Sequence, residues 1–283
     1  MSAEASESKF RTADFLVIGA MKSGTTTLYY DLLAQPSIFL PDKESNFLIR
    51  DVSRGFEKAS GDQVCGEVCP DYSKRPEIKG VAEKLPGKDL KVVYLVRDPI
   101  ERLISHHHFI STLKSPQNPG MPEKIDDAIQ QFPELISFGR YAFQLQPWIR
   151  AIGIESVLIV KFEDYIEDRS VTLEAICKFI GANFTPEKVA PDEIHNASES
   201  RPVLNRFWKG IRENPIYRRL IRPLTSLEIR NRFRQSVLPK SSGRPAPPSP
   251  ETLEYLKSIF KDDLAQLQQL LGDEKPLWDL KQG

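Results

Sequence analysis

Residues 15–18 are four consecutive apolar residues, followed by a glycine-bounded stretch from Gly19 to Gly24 and then by Leu28, Leu32 and Leu33. The apolar run predicts a short buried strand, and the leucine spacing predicts a helix from Thr25 that stops at Pro36. Residues 38–40 read as a second short strand. It delivers the polar loop 41–47 to the carboxyl edge of a sheet, the edge where α/β folds place their ligands. Residues 63–68 predict a third strand, closed by Cys69-Pro70-Asp71-Tyr72, and 76–85 a helix with proline at its start. Residues 90–96, Leu-Lys-Val-Val-Tyr-Leu-Val, are nearly all apolar. Such a strand is covered on both faces, as in a parallel sheet.

A helix follows from Pro99 to about Leu113, with proline in the first turn. Residues 114–123 hold three prolines and a glycine and read as a loop. Short helical patterns cover 124–132 and 140–152, the second with Tyr141, Leu145, Trp148 and Ile152 on one face. Residues 156–161 are a further buried strand. Glu163 and Asp164 lead into one helix that ends at Ile180, with Gly181 as its C-cap. The Pro-rich stretch 239–250 has a linker composition. It is followed by an amphipathic helix over 250–271 carrying Leu253, Leu256, Ile259, Phe260, Leu264, Leu267 and Leu271. The alternation of strand and helix predicts an α/β fold.

Composition adds constraints. The 283 residues suffice for one large α/β domain, and a formal net charge of zero argues against a dedicated nucleic-acid binder. That neutrality is uneven. Residues 201–244 carry twelve Lys and Arg against Glu213 and Glu228, a net +10, so the remainder is −10. The basic stretch is either a solvated helical face or a docking surface for an anionic partner. Cys65, Cys69 and Cys177 make no disulfide framework and lack zinc spacing, so reduced thiols in a cytoplasmic protein are expected. Residues 1–13 are polar and read as a mobile tail. No apolar run approaches the roughly 20 residues of a membrane span.

The strand–loop–helix at 15–28 carries the chemistry. A strand turning sharply into a helix exposes backbone N–H groups at the helix start, where the dipole favours an anion such as phosphate or sulfate. Lys22 adds a full charge, and Ser23, Thr25, Thr26 and Thr27 add hydroxyl donors. Gly19 and Gly24 match the glycines of a nucleotide P-loop, but Thr25 stands where the P-loop lysine belongs. Arg97, at the end of the 90–96 strand, is placed to bind a second phosphate through its guanidinium fork, or else to pair with Asp98. Ser105 lies two turns into the next helix. His106-His107-His108 are successive helical residues pointing about 100° apart and cannot share one ion, so a structural or surface role is expected. Glu163, Asp164, Glu167 and Asp168 read as a solvated helix start.

These motifs together resemble the PAPS-dependent sulfotransferases, PAPS being 3′-phosphoadenosine 5′-phosphosulfate. Residues 21–28 resemble the family's 5′-phosphosulfate loop, and Arg97 and Ser105 its 3′-phosphate-binding Arg and Ser. The likeness is closer to the branch that includes the heparan sulfate sulfotransferases and their bacterial relatives. It extends to Glu44 in Lys43-Glu44-Ser45-Asn46-Phe47, to Gly139-Arg140-Tyr141 with Leu145 and Trp148, to Lys240-Ser-Ser-Gly-Arg244, and to the closing 253–278 segment. Two positions depart from that branch: Asn46 stands at a histidine, and Val68 at a lysine that helps hold an acidic glycan.

The resemblance implies a P-loop-like three-layer fold with a central, mainly parallel sheet flanked by helices. A single domain over 14–283 would include a basic helical insertion at 201–244 and a cofactor-covering loop at 239–250. It implies sulfuryl transfer from PAPS to a hydroxyl or amine of a glycan or small molecule, with release of 3′,5′-ADP and no required metal. Lys22 and Glu44 would be catalytic, Glu44 as base. Lys22, Ser23, Gly24, Thr25, Thr26, Arg97, Ser105, Ser242, Gly243 and Arg244 would bind the donor, Lys43 would face the acceptor, and Tyr141 would be an acceptor-side or packing residue. The alternatives are a P-loop kinase or NTPase using ATP and Mg²⁺, and a non-catalytic nucleotide-binding module.

Overall fold

The computed structural model describes residues 12–47, 55–74, 89–112, 120–189, 247–272, 276–278 and 280. The expected helix at 76–85, the basic stretch 201–244 and the 240–244 loop lie outside the described residues.

Five strands form one parallel sheet: β1 (Phe15–Gly19), β2 (Ile38–Phe39), β3 (Val64–Val68), β4 (Lys91–Val96) and β5 (Val157–Lys161). Their order across the sheet is β2-β3-β1-β4-β5. The chain leaves β1 for β2 and β3 on one side, then crosses to β4 and β5 on the other. The topology therefore switches at the carboxyl end of β1, where open α/β sheets bind ligands.

Alternation along the strands builds two cores. Leu16 and Ile18 of β1, with Val92, Tyr94 and Val96 of β4, point to one face. There they meet α2 (Pro99–Thr112), α5 (Tyr141–Ile152) and α8 (Pro250–Leu271). Phe15 and Val17, with Val93 and Leu95, point to the other face and pack on α1 (Thr25–Leu33), α6 (Phe162–Glu167) and α7 (Arg169–Ile180). The arrangement is the expected three-layer α/β fold. Short helices α3 (Ile125–Gln131) and α4 (Glu134–Ser137) complete the first layer.

The single helix expected from Glu163 to Ile180 is two. Asp168 leaves the helical conformation between α6 and α7 (φ −136°, ψ 86°), and its carboxylate accepts the N–H of Val171 at 3.0 Å, capping α7. The break turns α7 so that Arg169 is buried against Asp31 of α1. Arg169 donates through Nε (3.2 Å) and Nη2, and the Tyr165 hydroxyl donates to the same carboxylate. Breaking a buried pair like this leaves an uncompensated charge, so the trio fixes α1 against α6 and α7. The C-terminal helix ends at Gly272 in a left-handed conformation, as α7 does at Gly181. The sequence pattern also missed α4 and the 3-10 turn Pro70–Ser73, both too short to show a period.

Candidate active site at the carboxyl ends of β3, β1, β4 and β5

The loop after β1 is built around two left-handed residues, Lys22 (φ 72°) and Gly24 (φ 85°). Gly24 is the N-cap of α1 and supplies no side-chain cap to the first N–H groups. The helix start is therefore left with donors for an anion. A Cβ at Gly24 would lie 2.6 Å from the ring of Phe162, so only glycine lets the loop pass beneath that ring. Ser23 is buried, with its hydroxyl unpartnered. Thr25 and Thr27 are buried and Thr26 is half-buried. Lys22 Nζ stands 4.8 Å from the centroid of the Phe109 ring on α2. An uncapped helix start, a lysine and a buried orphan hydroxyl fit the 5′ end of a phosphosulfate nucleotide.

Arg97 follows the last residue of β4, the strand next to β1. Its guanidinium lies 5.2 Å over the Phe162 ring and pairs with Glu101 at 3.3 Å, one turn on. The alternative pairing with Asp98 does not form. Asp98 caps α2 instead, accepting the N–H groups of Ile100 and Glu101 at 2.9 Å each. Burial is the main cause that pushes the Asp98 carboxyl up. Glu163 accepts the Asp98 N–H at 3.1 Å, so it is not simply part of a solvated helix start. Ser105 is buried on α2.

Tyr141 lies in the interior. It is fully buried, and its hydroxyl donates to the Arg97 carbonyl at 2.6 Å and accepts the Arg97 N–H at 3.3 Å. Burial pushes the phenol well up, so it stays protonated as the donor. Tyr141 is thus a buried packing residue whose hydroxyl holds the backbone of Arg97.

Glu44 lies in the loop after β2, in a left-handed conformation (φ 63°), and its N–H donates to the carbonyl of Val68 at 3.0 Å. Its carboxylate is exposed and paired with Lys43 at 2.6 Å. The loop beneath it is rigidly tied. Glu67, buried at the end of β3, accepts the Ser45 hydroxyl (2.7 Å), the Phe47 N–H (3.0 Å) and the Tyr72 hydroxyl (2.6 Å). Asn46 donates to the Glu44 carbonyl at 2.9 Å and accepts the Cys69 thiol at 3.0 Å. Burial raises that thiol to about 12, so it remains a proton donor. Val68 closes the core on the other side of β3.

His106 and His107 are buried on α2. Burial, with the charges of Arg102, Lys74 and Lys22, holds the His106 imidazole down at about 2. The His107 ring reaches the Pro122 carbonyl at 2.7 Å. Among the described residues no three His, Cys, Asp or Glu are grouped to hold a metal ion.

The structure thus brings Lys22, Ser23, Gly24, Thr25, Thr26 and Arg97 to the ends of the adjacent strands β1 and β4, with Glu44 on the same edge of the sheet after β2, beyond β3. Ser242, Gly243 and Arg244 lie outside the described residues. Sequence reasoning missed Phe162 and Glu67 as parts of this edge. The signal was available, since each sits at or just beyond the carboxyl end of a predicted strand.

Residues 12–200 match the sulfotransferase domain family. The chain belongs to that family. Heparan sulfate glucosamine 3-O-sulfotransferase 3B1 of Homo sapiens is 27% identical over 231 residues, 74% of this chain and 58% of that protein. The 3-alpha-hydroxysteroid sulfotransferase of Cavia porcellus is 29% identical over 103 residues, 35% of this chain and 33% of that protein. The chain therefore matches less than two thirds of the length of either relative. A sulfotransferase from Alicyclobacillus acidocaldarius shares the fold, with a TM-score of 0.60 at 18% identity, over 94% of this chain and 98% of that one.

Proposed function

We propose that this sulfotransferase-family chain moves a sulfuryl group from PAPS to a hydroxyl or amine of a glycan or small molecule, releasing 3′,5′-ADP. The observation that carries the reading is the uncapped start of α1 beside Lys22, with Arg97 on the end of the neighbouring strand. One anion site lies at the helix start, and a second guanidinium site lies across the strand ends. That spacing of function suits a nucleotide charged at both its 5′ and 3′ positions.

PAPS, when bound, supplies a sulfuryl group on a phosphate leaving group. Lys22 and the first N–H groups of α1 would hold the 5′ end of the donor and stabilise negative charge there. Arg97 pairs with the 3′-phosphate, which ATP lacks, and so selects the donor. Glu44 takes the proton from the acceptor as its oxygen or nitrogen bonds to sulfur. A placed base of this kind contributes about 10²- to 10⁴-fold. The left-handed backbone at both Lys22 and Glu44 supports this assignment, because strained residues persist where a site over-determines them. Lys43, bonded to Glu44 at 2.6 Å, would face the acceptor with it.

The relatives' names, one for a steroid and one for a heparan sulfate glucosamine, support a small-molecule or glycan acceptor. The same proposal places the enzyme in the cytoplasm, supported by three free, buried cysteines.

The test is calorimetric titration with 3′,5′-ADP, with ATP and Mg²⁺ as control and Arg97→Ala as the second sample. Tight 3′,5′-ADP binding, weak ATP binding and a loss of about 10- to 100-fold in the variant are expected, the magnitude of a charge-assisted contact. Preference for ATP with Mg²⁺, or binding of neither, overturns the reading.

A further inference from the structure

Arg97 is the first residue beyond β4, where the strand ladder has ended. Both of its backbone polar groups are nevertheless satisfied by one side-chain atom, the Tyr141 hydroxyl, which donates to the carbonyl at 2.6 Å and accepts the N–H at 3.3 Å. Tyr141 is also the first residue of α5, whose N-cap residue, Arg140, offers no side-chain cap. The first turn is capped from far along the chain. Asp263 of α8 accepts the Ala142 N–H through Oδ2 and the Phe143 N–H through Oδ1, each at 3.0 Å. Asp263 is 4% exposed. Phe260, one turn earlier on α8, lies where a Cβ on Gly139 would be 3.0 Å from its ring, so the backbone before α5 is held as closely as the helix start.

These contacts form one chain from α8 through the start of α5 to the backbone of Arg97. We propose that Tyr141 and Asp263 are positioning residues that set the enzyme's preference for a nucleotide bearing a 3′-phosphate. The proposal rests on the assignment of Arg97 to that phosphate. The physical basis is that a guanidinium selects a phosphate through a fixed fork, and the fork is aimed by the backbone that carries it. With the Tyr141 hydroxyl gone, the Arg97 carbonyl and N–H lose their shared partner and the residue is free to change its φ and ψ. With Asp263 neutralised, two N–H groups at the start of α5, one buried and one half-buried, are less well satisfied, and Tyr141 shifts with the turn that carries it.

The experiment compares Kd values of wild type, Tyr141→Phe and Asp263→Asn for 3′,5′-ADP and for 5′-AMP, which lacks the 3′-phosphate. Thermal unfolding of each variant is recorded alongside. Tyr141→Phe keeps the buried ring and its edge contact with Tyr94, and thermal unfolding reads what the lost hydroxyl costs the fold. The expected result is a fall of about three- to tenfold in the preference for 3′,5′-ADP over 5′-AMP, the size of one hydrogen bond. The Kd for 5′-AMP stays within about twofold. Asp263→Asn moves the ratio in the same direction. A role confined to folding would weaken both nucleotides together, and that result, or an unchanged ratio in Tyr141→Phe, overturns the proposal. A wild type without preference for 3′,5′-ADP overturns the Arg97 assignment first, and this proposal with it.

Discussion

His106 gives a sharp test of the electrostatics beneath the β1 loop. Its ring is buried on α2 beside Phe138, its Nδ1 has no partner, and the charges of Arg102, Lys74 and Lys22 lie within reach. The folded-state value near 2 stands against 6.5 for the free side chain. A depressed folded value means that the unfolded chain binds a proton that the folded protein refuses. The stability contribution is therefore complete above about pH 6.5 and is lost as pH falls below it, at about 1.4 kcal/mol per unit. From about pH 7.5 to about pH 5 the expected loss from this one ring is about 2 kcal/mol. The perturbation is His106→Gln, which keeps a polar side chain of similar size but cannot be protonated. The assay is urea unfolding of wild type and variant at several pH values. Carboxylates common to both proteins cancel in the difference. The gap between the two should shift by about 2 kcal/mol against wild type over that range. A gap that stays constant with pH would refute the reasoning, because it would mean that the folded protein takes up the proton as readily as the unfolded chain.

Two further outcomes follow from the site. Gly24→Ala places a Cβ 2.6 Å from the Phe162 ring on a backbone with φ 85°, so the loop must move. Calorimetry should show 3′,5′-ADP binding weakened by at least about tenfold, with stability reduced by about 1–3 kcal/mol; unchanged binding would show that the loop's shape is not what holds the nucleotide. Glu67→Gln keeps the shape of the anchor under Ser45 and Phe47 but removes the charge that accepts three hydrogen bonds. Release of 3′,5′-ADP from PAPS should slow by about tenfold while the affinity for 3′,5′-ADP holds, since the loop carries Glu44 and not the donor site. Equal losses in both would place Glu67 with the donor instead.

Much of this architecture is written locally in the chain. The apolar run of β4 could be buried only between two layers, and the glycine-bounded turn after β1 could lead only into α1. The C-cap at Gly181 and the helix at Pro250–Leu271 were equally legible, because each depends on residues within a few positions of one another. The edge at which Lys22, Arg97 and Glu44 gather was legible too, since every strand in a parallel sheet delivers its loop to the same side.

What the sequence did not determine depends on partners distant along the chain. Asp168 broke one expected helix into two because the turn lets Arg169 reach Asp31, 138 positions away. The sequence left Tyr141 as an acceptor-side or packing residue, and only the packing of α5 against β4 set its hydroxyl on the backbone of Arg97. Asp263 reads as one more acid on an amphipathic helix, yet it caps α5 across 121 positions. Periodicity reports which face of an element is buried. It carries no information on which donor a buried carboxylate will meet, because that is settled by the crossing of elements far apart in sequence.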